Sequence, residues 1–437
     1  MADSNVQKVA EQLPSNAELM DQISENFAGA TLSDPYPLFA ERRRDSPIFE
    51  GDIMEEFGAP SMAAGFDNSR PVYTLFRYDD VLATLKDSET FSSKPMLDAL
   101  GPMLGRVITG LDGDEHRQMR GMLSPAFSRE NFDHWADTII KPVISGYVDE
   151  LKDGGRQLDL TKFALKFPVR IIYEILGFPP EDAELYETFQ SRALMILLGF
   201  GATDPNKAEQ AQKNKMQALG AVQALYDDLL PIVQRRREEG SHGRDVIGYL
   251  LRAEEDGRRL DDDEIAKFGR MLLPAAAETT TRQWSNVMAC LLSRPEVLEE
   301  VRQDRSLVSK AIDEAIRYEA TAAIGARVTT REVELGGTVI PEGYGITLVR
   351  ASGNRDETVY DDAETFDIHR KRGRPALSFG FGAHMCIGMN VAKLEMEHAL
   401  NALLDGLPGL RADPDAPAPE ITGITLRSAR TLPVVWG

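Results

Sequence analysis

Residues 379–388 read Phe379-Gly380-Phe381-Gly382-Ala383-His384-Met385-Cys386-Ile387-Gly388, and they run directly into an amphipathic pattern over 390–404. The glycines permit a tight loop whose backbone N–H groups can approach a sulfur atom. A cysteine just ahead of a helix has its thiolate stabilised by the helix dipole and by the free N–H donors of the first turn. A thiolate held in this way is ready to ligate iron. A lone Gly-x-Gly or a lone cysteine would read instead as a glycine-rich turn around a buried structural residue. Here an aromatic, three glycines, a histidine and the cysteine coincide.

The rest of the chain bounds what this loop can serve. With 437 residues, 42% of them hydrophobic and 27% charged, the chain has the composition of a folded globular protein. A formal charge of −21 argues against nucleic acid and anionic membrane as partners, since both repel an acidic surface. The longest apolar run, 193–202, is far short of the roughly 20 residues a spanning helix needs. The start, MADSNVQKVAEQL, lacks a basic-then-apolar signal pattern, so a soluble, cytoplasmic protein is expected. The two cysteines, Cys290 and Cys386, lie far apart in sequence and imply no disulfide framework. Cys290, in an apolar helical stretch, reads as core.

Without repeats or a long linker, 31–437 is expected to be one domain, preceded by a mobile arm over 1–30. Helical periodicity runs through 215–237, 263–292, 295–305 and 309–319, with Pro231 and Pro274 expected to kink or divide their helices. Alternation marks strands at 72–76, 327–335 and 345–350. The expected fold is mainly α with a smaller β region (α+β).

Further motifs carry side chains with chemistry. Glu314-Ala315-Ile316-Arg317 sets a carboxylate and a guanidinium at i and i+3, which alone reads as an exposed ion pair. Phe366-Asp367-Ile368-His369-Arg370 follows. Ala275-Ala276-Ala277-Glu278-Thr279-Thr280 sits inside a long helical pattern, where small residues ahead of an acid and an alcohol would leave room beside a bound molecule. In His116-Arg117-Gln118-Met119-Arg120 the histidine and Arg120 share a helix side and could donate to an anion.

Taken in order, these motifs resemble those of the cytochromes P-450, from about Asp34-Pro35-Tyr36-Pro37 to the C-terminus and including Tyr78-Asp79-Asp80-Val81, Phe91-Ser92-Ser93 and Asn354-Arg355-Asp356. The resemblance implies haem b between a long distal helix and the Cys loop and helix, with Cys386 as proximal iron ligand. His116, Arg120, Arg327 and His384 become propionate contacts, and Phe379 a further haem contact. Glu314, Arg317 and Arg370 become a buried network that fixes the Cys loop from behind, and Glu278 and Thr279 the pair that delivers protons. Three departures stand out: Ala276 where the family has glycine, Arg374-Pro375-Ala376 where it often has a histidine, and no Pro-Pro after Arg317-Tyr318-Glu319. The last puts the shape of 321–326 in question.

The implied activity is a monooxygenase that takes two electrons and dioxygen and inserts one oxygen atom into a small hydrophobic substrate. A peroxide-driven peroxygenase and a non-catalytic haem-binding protein are the alternatives. With no flavin or iron–sulfur motif in the chain, the electrons are expected from a ferredoxin and its reductase, steered by a basic patch of 370–374, Arg117 and Lys393. By family position the pocket draws on Met103, Leu104, Met195, Leu272, Ala275, Ala276 and Ile324.

Overall fold

Helices built on the 3.6-residue apolar repeat make up most of the chain: α1 (Gly113–Leu123), α2 (Lys141–Asp153), α3 (Thr161–Leu176), α4 (Ala183–Phe200), α5 (Ala208–Glu238), α6 (Asp262–Leu292), α7 (Val308–Tyr318) and α8 (Met389–Gly406). This computed structural model describes residues 16, 18, 19, 34–59, 61–65, 69–200, 208–240, 243–371 and 373–437. The arm expected over 1–30 therefore lies, apart from Asn16, Glu18 and Leu19, outside the described residues.

The central element is α6. Its start is set by a reciprocal capping box, in which Glu264 N donates to Asp261 Oδ1 at 2.8 Å and Asp261 N to Glu264 Oε2 at 3.1 Å. Asp262, Asp263 and Glu264 complement the positive end of the helix dipole. From Thr280 onward the helix is buried all round. Trp284 packs between Phe163 and Phe167 of α3, and the Thr281 hydroxyl donates to Ala164 O at 3.0 Å. Cys290 lies fully enclosed here, its thiol pushed up to about 12 by burial.

Pro274 and Pro231 lie inside continuous helices, so of the two expected effects they do not divide α6 and α5. Each proline deletes one hydrogen bond, but α6 packs on both α3 and α5, and that packing holds the helix through the gap.

The main sheet has strands β1 (Ile48–Glu50), β2 (Val72–Leu75), β3 (Phe91–Ser92), β4 (Ile324–Thr329) and β5 (Gly345–Val349), in the spatial order β1-β2-β5-β4-β3. β5 runs parallel to β2, with Gly345 opposite Val72, and antiparallel to β4, with Ile346 opposite Arg327 and Leu348 opposite Gly325. The single strand expected over 327–335 is two: β4 ends at Thr329, and Val333–Leu335 turns back to pair with Thr338–Ile340. The whole is mainly helical with a small sheet region. No described helix is long and apolar enough to cross a membrane.

Candidate active site

The quoted loop closes on itself ahead of α8. Cys386 N donates to Phe379 O at 2.9 Å and Met385 N to Gly382 O at 3.1 Å. Gly380 and Gly382 take φ of +69° and +68°, conformations costly for any residue with a Cβ. A Cβ on Gly382 would also lie 2.6 Å from Leu85 O. The exposed surface of Cys386 faces a cavity bounded by this loop, α1, α6, the 321–327 segment and β5.

The backbone N–H groups of Gly388 and Met389 and the cations Arg120 and Arg350 favour the Cys386 thiolate, as the spacing predicts. Burial outweighs them, and the thiol is pushed above its ordinary value.

The same cavity is lined by His116, Arg120, Arg327, Arg350, Phe379 and His384. His116 and His384 stack with ring centroids 4.0 Å apart, and His384 Nε2 lies 3.2 Å from Asp112 Oδ1. Burial alone would raise Asp112, but hydrogen bonds from His384, Ser92 and Ser93 hold its carboxyl below the usual range. Burial, with His384 and Arg120 alongside, pushes His116 down to about 4, so it is neutral at pH 7.

Arg120 donates to Met385 O at 2.8 Å and Arg327 to its neighbour Ala326 O at 2.8 Å. Burial lowers both guanidinium groups from their ordinary value. Neither has a carboxylate within ion-pair distance among the described residues. Guanidinium groups enclosed without counter-ions, beside a thiol in an otherwise apolar cavity, are the donor set for a flat apolar group that carries carboxylates at its edge and a metal at its centre. Haem fits that description.

Behind the loop, Glu314 and Arg317 are buried, so the exposed-pair reading does not apply. Arg317 donates to Glu314 at 2.8 and 2.6 Å and to the carbonyls of Asn354, Ala363 and Thr365. Arg370 Nε reaches Glu314 Oε1 at 3.3 Å. The link onward to the loop is Asn354, which the family pattern marked without a role. Its side chain accepts from Leu377 N at 2.6 Å and donates to Ser378 Oγ at 2.8 Å, just ahead of Phe379.

On α6, Leu272, Ala275 and Thr279 line the cavity, one helical face, and Gln283 continues it. The Thr279 hydroxyl donates to Ala275 O at 2.8 Å. Glu278, expected to share this wall, is turned away by one residue's rotation and accepts from Arg282 at 3.0 and 3.2 Å in a buried pair.

Other pocket residues named from the sequence fall elsewhere. Ile324 points to the opposite face of β4 from Gly325 and Arg327 and packs near Phe39 and Phe76. Ala276 packs into the helical core beside that face, Met195 is buried with the other core residues of α4, and Leu104 is buried with its carbonyl accepting from Arg270. The Met103 side chain lies outside the described residues. The walls that sequence reasoning missed are Phe268, Met271, Thr321 and Arg350. The segment in question at 321–326 is anchored by α6: Thr321 N donates to Gln283 Oε1 at 2.9 Å, and Asn286 Nδ2 to Thr321 Oγ1 at 3.2 Å.

A family model described as Cytochrome P-450 matches residues 61–407. The chain belongs to the cytochrome P-450 family. Among its relatives, a Vitamin D3 dihydroxylase of Streptomyces griseolus is 34% identical over 76% of this chain and 77% of that protein. An Erythromycin C-12 hydroxylase of Saccharopolyspora erythraea is 32% identical over 84% and 89%. The crystal structure of CYP109E1 from Bacillus megaterium in complex with testosterone superposes with a TM-score of 0.78 at 25% identity, covering 92% of this chain and 99% of that one. The chain is a P-450-type monooxygenase, an oxidoreductase whose family implies a haem cofactor.

Proposed function

We propose that this cytochrome P-450 binds haem b through the Cys386 thiolate and oxidises a small, largely apolar substrate, taking electrons from a separate ferredoxin. The observation that carries the reading is one cavity that joins the Cys386 thiol, carboxylate-free guanidinium groups and the Thr279 hydroxyl. Bound haem iron supplies the binding and activation of dioxygen. Arg120 and Arg327, with His116 and His384, hold the two haem carboxylates. The N–H groups of Gly388 and Met389 steady the sulfur from the start of α8. Thr279 Oγ passes a proton from water into the site by exchanging its bond to Ala275 O. Phe268, Met271, Leu272 and Ala322 supply an apolar wall that excludes water and packs against the substrate.

Glu278 acts in this scheme by keeping Arg282 paired and α6 in place rather than by reaching the cavity. The basic run expected to steer a ferredoxin is largely neutralised: Arg370 is tied to Glu314, Arg374 to Asp79, Lys393 to Asp313 at 2.6 Å, and Arg117 to Asp114 at 3.3 Å. Long-range steering from this face is accordingly weak, and reduction by a ferredoxin should depend only modestly on salt.

The test is the carbon monoxide difference spectrum of the purified, dithionite-reduced protein. A strongly red-shifted Soret band supports thiolate ligation, and Cys386→Ser abolishes it. A histidine-type band from intact protein would end the reading.

A further inference from the structure

β5 pairs with β4 so that Leu348 lies opposite Gly325, and both line the cavity. Arg350, the first residue of the short helix Arg350–Gly353 that follows β5, lines the same cavity. Its guanidinium rests across the bare backbone of Gly325: a Cβ there would lie 3.5 Å from Arg350 Nε and 3.6 Å from Cζ. A methyl there would thus sit in ordinary contact with the guanidinium, which lies directly over residue 325.

Among the described residues the group has one acceptor, Ile324 O at 2.8 Å from Nη2, and no carboxylate within ion-pair distance. Nε is enclosed and has no partner. Burial, with Arg327 close by, pushes Arg350 down to about 10, so it is cationic at pH 7. A fixed charge left without a counter-ion in an apolar wall is costly to maintain. In the haem reading above, Arg120 and Arg327, with His116 and His384, would hold the two carboxylates of the cofactor. Arg350 is the third guanidinium, and it shares the cavity with Leu272, Ala275 and Ala322.

We propose that Arg350 is a substrate-recognition cation, so that the preferred substrate is an apolar molecule carrying one carboxylate. The planar fork of the guanidinium suits a carboxylate better than an ammonium would. The proposal rests on the haem-thiolate reading above and narrows it, because the acidic group fixes one end of the guest while its apolar part packs along α6.

The test is calorimetric titration of the haem-loaded protein with matched acid and alcohol pairs: dodecanoic acid and dodecanol, 2-naphthoic acid and 2-naphthalenemethanol, and abietic acid and abietinol. At least one acid should bind about tenfold or more tightly than its alcohol. Arg350→Leu should erase that preference in the haem-loaded protein while alcohol affinity is kept, and Arg350→Lys should restore part of it. Equal binding of acid and alcohol in every pair would overturn the proposal. So would an Arg350→Leu protein that loses haem while its remaining holoprotein still prefers the acid, which would assign Arg350 to a haem carboxylate. Failure of the underlying reading shows separately, as a missing red-shifted carbon monoxide band in the unsubstituted protein before any titration.

Discussion

A threonine hydroxyl bonded to a carbonyl one turn back can trade that bond for water without unfolding its helix, and Thr279 is so placed on the cavity wall. Thr279→Ala should therefore keep the fold and the haem while the product formed per electron pair falls about tenfold; product and peroxide measured together give the coupling. Glu278→Gln acts differently. It removes the carboxylate charge that faces the buried Arg282 cation and should cost about 3 kcal/mol in urea denaturation, with coupling little changed. The two neighbours were named together from the sequence, and what separates them is the Arg282 side chain, which draws Glu278 into a buried pair one turn on, while Thr279 lines the cavity with Leu272, Ala275 and Gln283. His116 adds a pH dependence. Its folded value, about 4, is below the ordinary 6.5, so the unfolded chain takes up a proton that the fold refuses. Its contribution is fully present above pH 6.5 and is lost as pH falls from there toward 4. Denaturation of the haem-free protein across that window should show the loss, and His116→Asn should flatten it.

At the scale of elements, the Cys loop and α8 were legible because everything that shapes them is local: glycines at positive φ, a cysteine, and an amphipathic helix after it. Gly382→Ala tests the loop. The new methyl meets Leu85 O and a disfavoured φ, a strain of about 1–3 kcal/mol. Haem content should drop and the carbon monoxide band weaken, with the helical circular dichroism intact. Arg350 was not legible, because its place on the cavity depends on how β5 lies against β4 and on the short helix that follows β5. Nor was the break at 330–332 visible, since alternation carries on through the turn that separates β4 from Val333–Leu335.

For the whole molecule, the order of motifs along the chain revealed the architecture, while the charge partners of the basic run, such as Asp79 and Asp313, come together only in three dimensions. The Glu314, Arg317 and Arg370 cluster was recognised, but its route to the loop through Asn354 and Ser378 was not, since backbone carbonyls carry much of it. Glu314→Gln leaves two guanidinium groups without their shared carboxylate and should lower stability by about 3–5 kcal/mol, read from the urea midpoint. The parallel pairing of β2 with β5 has a consequence for biosynthesis. Residues 72–75 meet 345–348, so a strand made early waits on the ribosome for one made on the order of tens of seconds later. The chamber cannot close around a cofactor until β5 and the Cys386 loop have both been made. Haem added after translation is arrested should therefore load the protein as fully as haem present throughout.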